Sequence, residues 1–151
     1  MTKVPGRAPG TAAKVVAMCD HCSCRSFEPI ADLSREHEEI LALAWEVAEG
    51  RDATGERARA LLRILDGHVR KEELGLYPWL SHTGDLTDEV LSRLEDEHVE
   101  VRAELEGGTF DRLDYYALAA HIEEEEMELF PAAMFAFDDD AWAALDSLVT
   151  S

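Results

Sequence analysis

Two stretches of the chain repeat one donor spacing: His68-Val-Arg-Lys-Glu72-Glu73-Leu-Gly-Leu-Tyr77-Pro78 and His121-Ile-Glu-Glu-Glu125-Glu126-Met-Glu-Leu-Phe130-Pro131. A histidine and a glutamate four residues on lie about 40° apart around a helix axis, so imidazole and carboxylate can reach one ion from the same face. Each pair also has an upstream partner in a matching context, Leu33-Ser-Arg-Glu36-His37-Glu-Glu39-Ile40 and Leu94-Glu-Asp-Glu97-His98-Val-Glu100-Val101. The donor order is therefore His, HxxxE, His, HxxxE. The lone histidines stand 61 residues apart and the paired ones 53, which reads as a helical hairpin duplicated with a shorter second half.

Six donors, His37, His68, Glu72, His98, His121 and Glu125, fall on faces that otherwise point into a core. Without a cofactor, burying them would cost ~1–3 kcal/mol for each neutral group and more for each charge. A lone HxxxE in a glutamate-rich helix is common by chance. Recurrence carries the inference here, because all four of these histidines occupy equivalent places in the repeat, whereas His21 and His82 fall outside it. Four imidazoles and two carboxylates suit first-row transition metals, and a cage this rich holds two ions with one or both glutamates bridging. Each ion then has two histidines, a share of the glutamates and positions open to oxo, hydroxo, peroxide or dioxygen ligands. Carboxylates favour the ferric state, so two non-heme iron ions with an oxo or hydroxo bridge are expected ahead of manganese or zinc. Glu126 is the alternate to Glu125.

These side chains require helices to hold them. The first runs through Leu33, Ile40, Leu41, Ala44, Trp45 and Ala48, with Asp32 or Ser34 as its cap and Gly50 as its stop. A second begins at Thr54, carries Leu61, Leu62, Ile64, Leu65, His68, Val69 and Leu76, and is kinked or ended by Pro78. His82 to Asp85 forms a turn. Thr87 or Asp88 opens a third helix that stops at Gly107-Gly108, and Asp111 caps a fourth that reaches Pro131. Asp138 to Asp140 favour the start of a short fifth helix through Ala141 to Leu148. Four long helices with short connections pack as an all-α antiparallel bundle. Trp45, Leu94 and Ala117 line a pocket above the metals, while Tyr77 and Phe130 point roughly opposite the ligand faces and serve as packing.

At 151 residues the chain fits one domain, and its 46% apolar and 31% charged content suits a globular protein. No apolar run approaches the ~20 residues needed to cross a bilayer, and Ala12 to Met18 is too short for a secretory core, so a cytoplasmic location is the default expectation. The net charge is −19, yet residues 1 to 25 carry +3 and the remainder −22. An acidic body of this kind repels nucleic acid and anionic lipid, which excludes both as partners and keeps the protein a monomer or weak oligomer. Residues 1 to 17, with Pro5, Gly6, Pro9 and Gly10, read as a flexible leader. Cys19, Cys22 and Cys24 cluster with His21. With no secretory signal a disulfide framework is not expected, which leaves reduced thiols or a second, thiol-based metal or redox site. Met18, directly before the cluster, is an alternative start.

Over residues 32 to about 137 the sequence resembles the hemerythrin-like, or HHE cation-binding, family. HVRKEELGLYP and HIEEEEMELFP are similar to that family's signatures in its second and fourth helices, and the two Glu-His sites are similar to its ligands in the first and third. The resemblance implies an up-down-up-down four-helix bundle around a di-iron centre held by His37, His68, Glu72, His98, His121 and Glu125. It divides the chain into a leader with the Cys/His cluster, 1–28, and a hemerythrin-like bundle, 29–151. The family's oxygen carriers have a second histidine one turn from the third-helix ligand and an aspartate five residues after the fourth-helix histidine. Here Leu94 and Arg102 flank His98 at that spacing, and Glu126 stands at the fifth position. The four-His, two-Glu set favours reduction of peroxide or nitric oxide, catalase-like turnover included, or oxygen sensing, over reversible carriage. The alternative is an iron-binding or oxygen- or iron-sensing module without turnover.

Overall fold

In the structure, a computed structural model that describes residues 28–149, every regular element is helical. The first expected leader residues, with Cys19, His21, Cys22 and Cys24, lie outside the described residues. Helix α1 spans Glu28–Ala48, α2 Glu56–Lys71, α3 Tyr77–Thr83, α4 Asp88–Gly107, α5 Arg112–Glu124, α6 Phe130–Ala136 and α7 Asp139–Val149. A π-helical turn, Glu72–Leu76, joins α2 to α3, and a second, Glu125–Leu129, joins α5 to α6. Five helical rods result. Among the described residues no helix is long and apolar enough to cross a membrane.

The π turns answer what the two prolines do. Pro78 and Pro131 do not end their helices. Each lies in the first turn of the helix that follows a π turn, where a missing N–H costs nothing. In the π turn the bonds reach one residue further back, Tyr77 N–H to the Glu72 carbonyl and Phe130 N–H to that of Glu125. The wider turn makes room for the ring, so the rod continues instead of breaking.

Several boundaries also differ from expectation. Helix α1 begins at Glu28, ahead of the expected caps Asp32 and Ser34, because Pro29 fits a first turn and Ile30 and Leu33 bury completely. Helix α2 starts after Gly55, held at φ 75°, and its first N–H groups at Arg57 and Ala58 donate to Asp52 at 2.8 and 2.9 Å. Thr54, expected to begin the helix, instead lies in the loop before it and accepts from Glu56 N–H at 3.4 Å. His82 is the penultimate residue of α3, and the turn falls at Gly84, φ 86°. The remaining caps follow the sequence: Thr87 accepts from Val90 N–H, and Asp111 forms a capping box with Asp114.

Helix α1 packs on α2 and α5, α4 on α5 and α2, and α3 on α6, while α7 lies across α1, α2 and the first π turn. The apolar interior is split in two. One cluster holds Ile30, Leu33, Leu76, Leu80, Leu94, Phe130 and Leu145; the other holds Ile40, Ala44, Leu61, Leu65, Leu105, Phe110 and Ile122. Along α1 the residues of the first cluster precede His37 and those of the second follow it. The donors therefore form a polar layer between two cores.

Candidate metal centre

The structure brings all six sequence-derived donors into that layer. His37, His68, Glu72 and Glu125 form one group and Glu72, His98, His121 and Glu125 another, with the donor atoms of each within 4.8 Å of one another. Both glutamates belong to both groups. Two histidines from α1 and α2 therefore face two from α4 and α5 across a shared pair of carboxylates. Glu72 and Glu125 are completely buried, His37, His68 and His121 are buried, and the His98 side chain is the most accessible of the four imidazoles at 10%.

Each imidazole presents Nε2 to the centre. His68 Nε2 lies 2.8 Å from Glu72 Oε2, His98 Nε2 is 3.1 Å from Glu72 Oε1, and His37 Nε2 is 3.1 Å from Glu125 Oε1. His98 Nε2 and His121 Nε2 are 3.1 Å apart. The opposite ring nitrogens all meet carboxylates: His37 Nδ1 to Glu126 at 2.7 Å, His98 Nδ1 to Glu73 at 2.7 Å, His68 Nδ1 to Glu36 at 2.9 Å and His121 Nδ1 to Glu97 at 2.7 Å. A proton on Nδ1, shared with a carboxylate, leaves the Nε2 lone pair facing inward and makes it more basic. Further groups brace these carboxylates. Ser34 Oγ donates to Glu126, Lys71 to Glu36, and Arg93 to Glu97 at 3.2 Å.

Sequence reasoning identified Glu126 only as an alternate ligand and gave Glu36, Glu73 and Glu97 no role. The signal was present. A glutamate directly precedes each lone histidine, and a Glu-Glu doublet follows each paired one, in both halves of the repeat.

Tyr77 was also misread. Five residues along an α-helix would set it about 140° from Glu72. The π turn advances only ~80° per residue, which cuts the difference to about 40° and swings the ring back to the ligand face. The Tyr77 hydroxyl donates to Glu125 and lies 3.3 Å from Glu72 Oε1 and 3.4 Å from His98 Nε2. Its ring stacks on His98 with centroids 5.9 Å apart, as Phe130, its counterpart in the repeat, stacks on His37 at 5.5 Å. The centre thus carries one phenol, on the His98 side.

The buried charges shape the electrostatics. Burial opposes protonation of His68 and His121, but the Glu72 charge on one and the Glu125 hydrogen bond on the other outweigh it and raise both pKa values to about 9. His37 is raised well above the ordinary value, burial being overcome by Glu125, Glu126 and Glu72. Burial would push Glu72 up, yet the neighbouring imidazoles hold it well below the usual range. For Tyr77, burial and then the two carboxylates push the phenol far up, so it stays protonated. Without metal, the carboxylates therefore favour protonation of these imidazoles, with one proton shared between His98 Nε2 and His121 Nε2 at 3.1 Å. Even so, among the described residues His68 Nε2 and Glu72 Oε2 are buried without a properly formed hydrogen bond. Orphaned donor atoms of this kind, aimed at a common point with four others, fit bound cations.

Of the expected pocket residues, Ala117 alone lines the cleft that reaches the centre. This cleft of about 420 Å3 runs between α2, α4 and α5 and is lined by His98, His121, Glu73, Leu65, Val69 and Leu118 as well. Leu94 is buried in the first core, and Trp45 meets Tyr115 edge-on at 5.0 Å beside the second.

The family model of the Hemerythrin HHE cation binding domain matches residues 28–133. No curated protein and no solved structure gives a significant match.

Proposed function

Because the chain belongs to the hemerythrin HHE cation-binding family, we propose that its donor layer holds two non-heme iron ions and that the protein binds or reduces a small oxidant: dioxygen, hydrogen peroxide or nitric oxide. The observation that carries this reading is the sharing of both carboxylates by two four-residue donor groups. His37 and His68 would hold one ion, His98 and His121 the other, and Glu72 and Glu125 would bridge them. The rods would run up-down-up-down, as the short connections favour. Iron in this layer would supply one-electron redox chemistry with coordination positions left for an exogenous ligand.

The protein's own groups set the conditions for that chemistry. Four carboxylates on the four Nδ1 atoms make every imidazole a stronger donor, which favours the oxidised metal. The two apolar cores flank the layer on both sides. The Tyr77 hydroxyl holds Glu125 in place and remains a proton donor beside His98. These features favour redox turnover or sensing over reversible oxygen carriage. The test is anaerobic reconstitution with ferrous iron followed by air. Two irons per chain by elemental analysis, with oxo-to-iron charge-transfer absorption in the near ultraviolet, are expected; fewer than two, without such bands, would overturn the proposal. Rapid oxygen evolution from added peroxide would then identify turnover, and a spectrum reversed by deoxygenation would identify carriage or sensing.

A further inference from the structure

The repeat makes the two donor groups alike in composition, but their donor atoms are not equally free. Glu72 and Glu125 divide their oxygens between the groups. Glu72 Oε2 lies 2.8 Å from His68 Nε2 and 3.6 Å from His37 Nε2, and Glu125 Oε1 lies 3.1 Å from His37 Nε2. The other two oxygens turn to the second group, Glu72 Oε1 at 3.1 Å from His98 Nε2 and Glu125 Oε2 at 3.5 Å from His121 Nε2. The phenol of Tyr77 sits among these last atoms. Its hydroxyl donates to Glu125 Oε2 and lies 3.3 Å from Glu72 Oε1 and 3.4 Å from His98 Nε2, so it meets three of the four atoms that the second group would offer an ion. The fourth, His121 Nε2, is 3.1 Å from His98 Nε2. At the matching place in the repeat, 53 residues on, the first group has Phe130, whose ring stacks on His37 and carries no hydroxyl. Among the described residues the two buried side-chain atoms left without a properly formed hydrogen bond, His68 Nε2 and Glu72 Oε2, both belong to the first group.

An ion at the first group would satisfy atoms that have no partner. An ion at the second would have to take Glu125 from a buried hydrogen bond to a charged acceptor, among the costlier kinds to break. We propose that Tyr77 sets the order of metal uptake: the His37/His68 group takes the first ion, and the His98/His121 group takes the second only as the Tyr77 hydroxyl gives up Glu125 Oε2. This rests on the reading of the layer as a metal centre. Tyr77 is a positioning residue in this scheme, since it acts by holding a carboxylate oxygen. At limiting metal the chain then carries a single ion at His37 and His68, and on depletion the second ion is the first to leave.

Zinc tests the order in the full-length, metal-free protein, because it is redox-silent and suits imidazole and carboxylate donors. With isotopically labelled histidine, the Nε2 resonances of His37 and His68 should shift during the first equivalent of zinc and those of His98 and His121 during the second. Resonances of all four moving together, or those of His98 and His121 moving first, would overturn the order. Two cations in one layer repel, so the second step is the weaker one whatever Tyr77 does, and the decisive quantity is the change on removing the hydroxyl. In calorimetric titration Tyr77→Phe should raise the second association constant by about tenfold or more and narrow the gap between the steps. A phenol that merely supported the fold would weaken both steps when removed, and that result, or an unchanged second step, would overturn the role of Tyr77. Failure of wild type and variant alike to bind a second ion would instead sink the two-ion reading of the layer, and the order with it.

Discussion

A glutamate shared by both donor groups should matter more than any single histidine. Glu125 contacts His37 at 3.1 Å and His121 at 3.5 Å, so it reaches both donor groups. Glu125→Gln is accordingly expected to lower bound iron from two per chain to one or none by elemental analysis; two irons retained would move the bridging role to Glu126. Tyr77 makes a different contribution, a buried hydrogen bond to a charged acceptor. Tyr77→Phe should leave the iron content intact and lower the stability of the metal-free protein by about 2 kcal/mol in denaturant titration. The convergence of the six side chains was legible because recurrence singled them out of a glutamate-rich chain. Tyr77 was not legible, since its direction depends on a backbone turn that side-chain spacing on ideal helices does not contain.

The π turns show how local geometry serves the site. Each begins at a glutamate that belongs to both donor groups and ends just before the aromatic residue that stacks on a histidine. Pro78 and Pro131 mark both turns in the sequence, yet a proline alone reads equally as a kink or a stop. Helix α7 packs tightly over the first of them. A Cβ at Gly75 would stand 2.8 Å from Leu145 Cδ1 and 2.9 Å from Leu148 Cδ1, both on α7. Gly75→Ala should therefore push α7 away and destabilise the fold by about 1–3 kcal/mol. A thermal melt unchanged from wild type would show that α7 yields freely. Most helix ends could be read directly, because Gly50, Gly84 and Gly108 adopt left-handed conformations and Thr87 and Asp111 cap. The start of α1 could not, since burial of Ile30 and Leu33 against α7 and its neighbours extends a helix that the caps at Asp32 or Ser34 would have shortened.

For the whole molecule, metal and protons compete for one set of imidazoles. His68 and His121 have pKa values of about 9 in the folded protein against 6.5 ordinarily. Their charged form stabilises the metal-free fold below pH 6.5, and that contribution is lost as pH rises through about 9. The melting temperature of the metal-free protein should thus fall between pH 6.5 and 9, and iron-loaded protein should be spared that fall. A metal-free melting temperature that rises over this range would show the imidazoles to be neutral. Because only the folded layer gathers six donors, loading should also stabilise by about 4 kcal/mol at a thousandfold excess over the dissociation constant, and a chelator should reverse it. The sequence by itself determined the helical class and the grouping of the six layer side chains into two halves, because helical period and internal duplication are properties of the chain. Only the tertiary structure decided which carboxylate braces which imidazole and that Tyr77 enters the centre. Those outcomes depend on residues from different helices meeting across the layer, and on substitutions in two halves that are nearly, but not fully, alike.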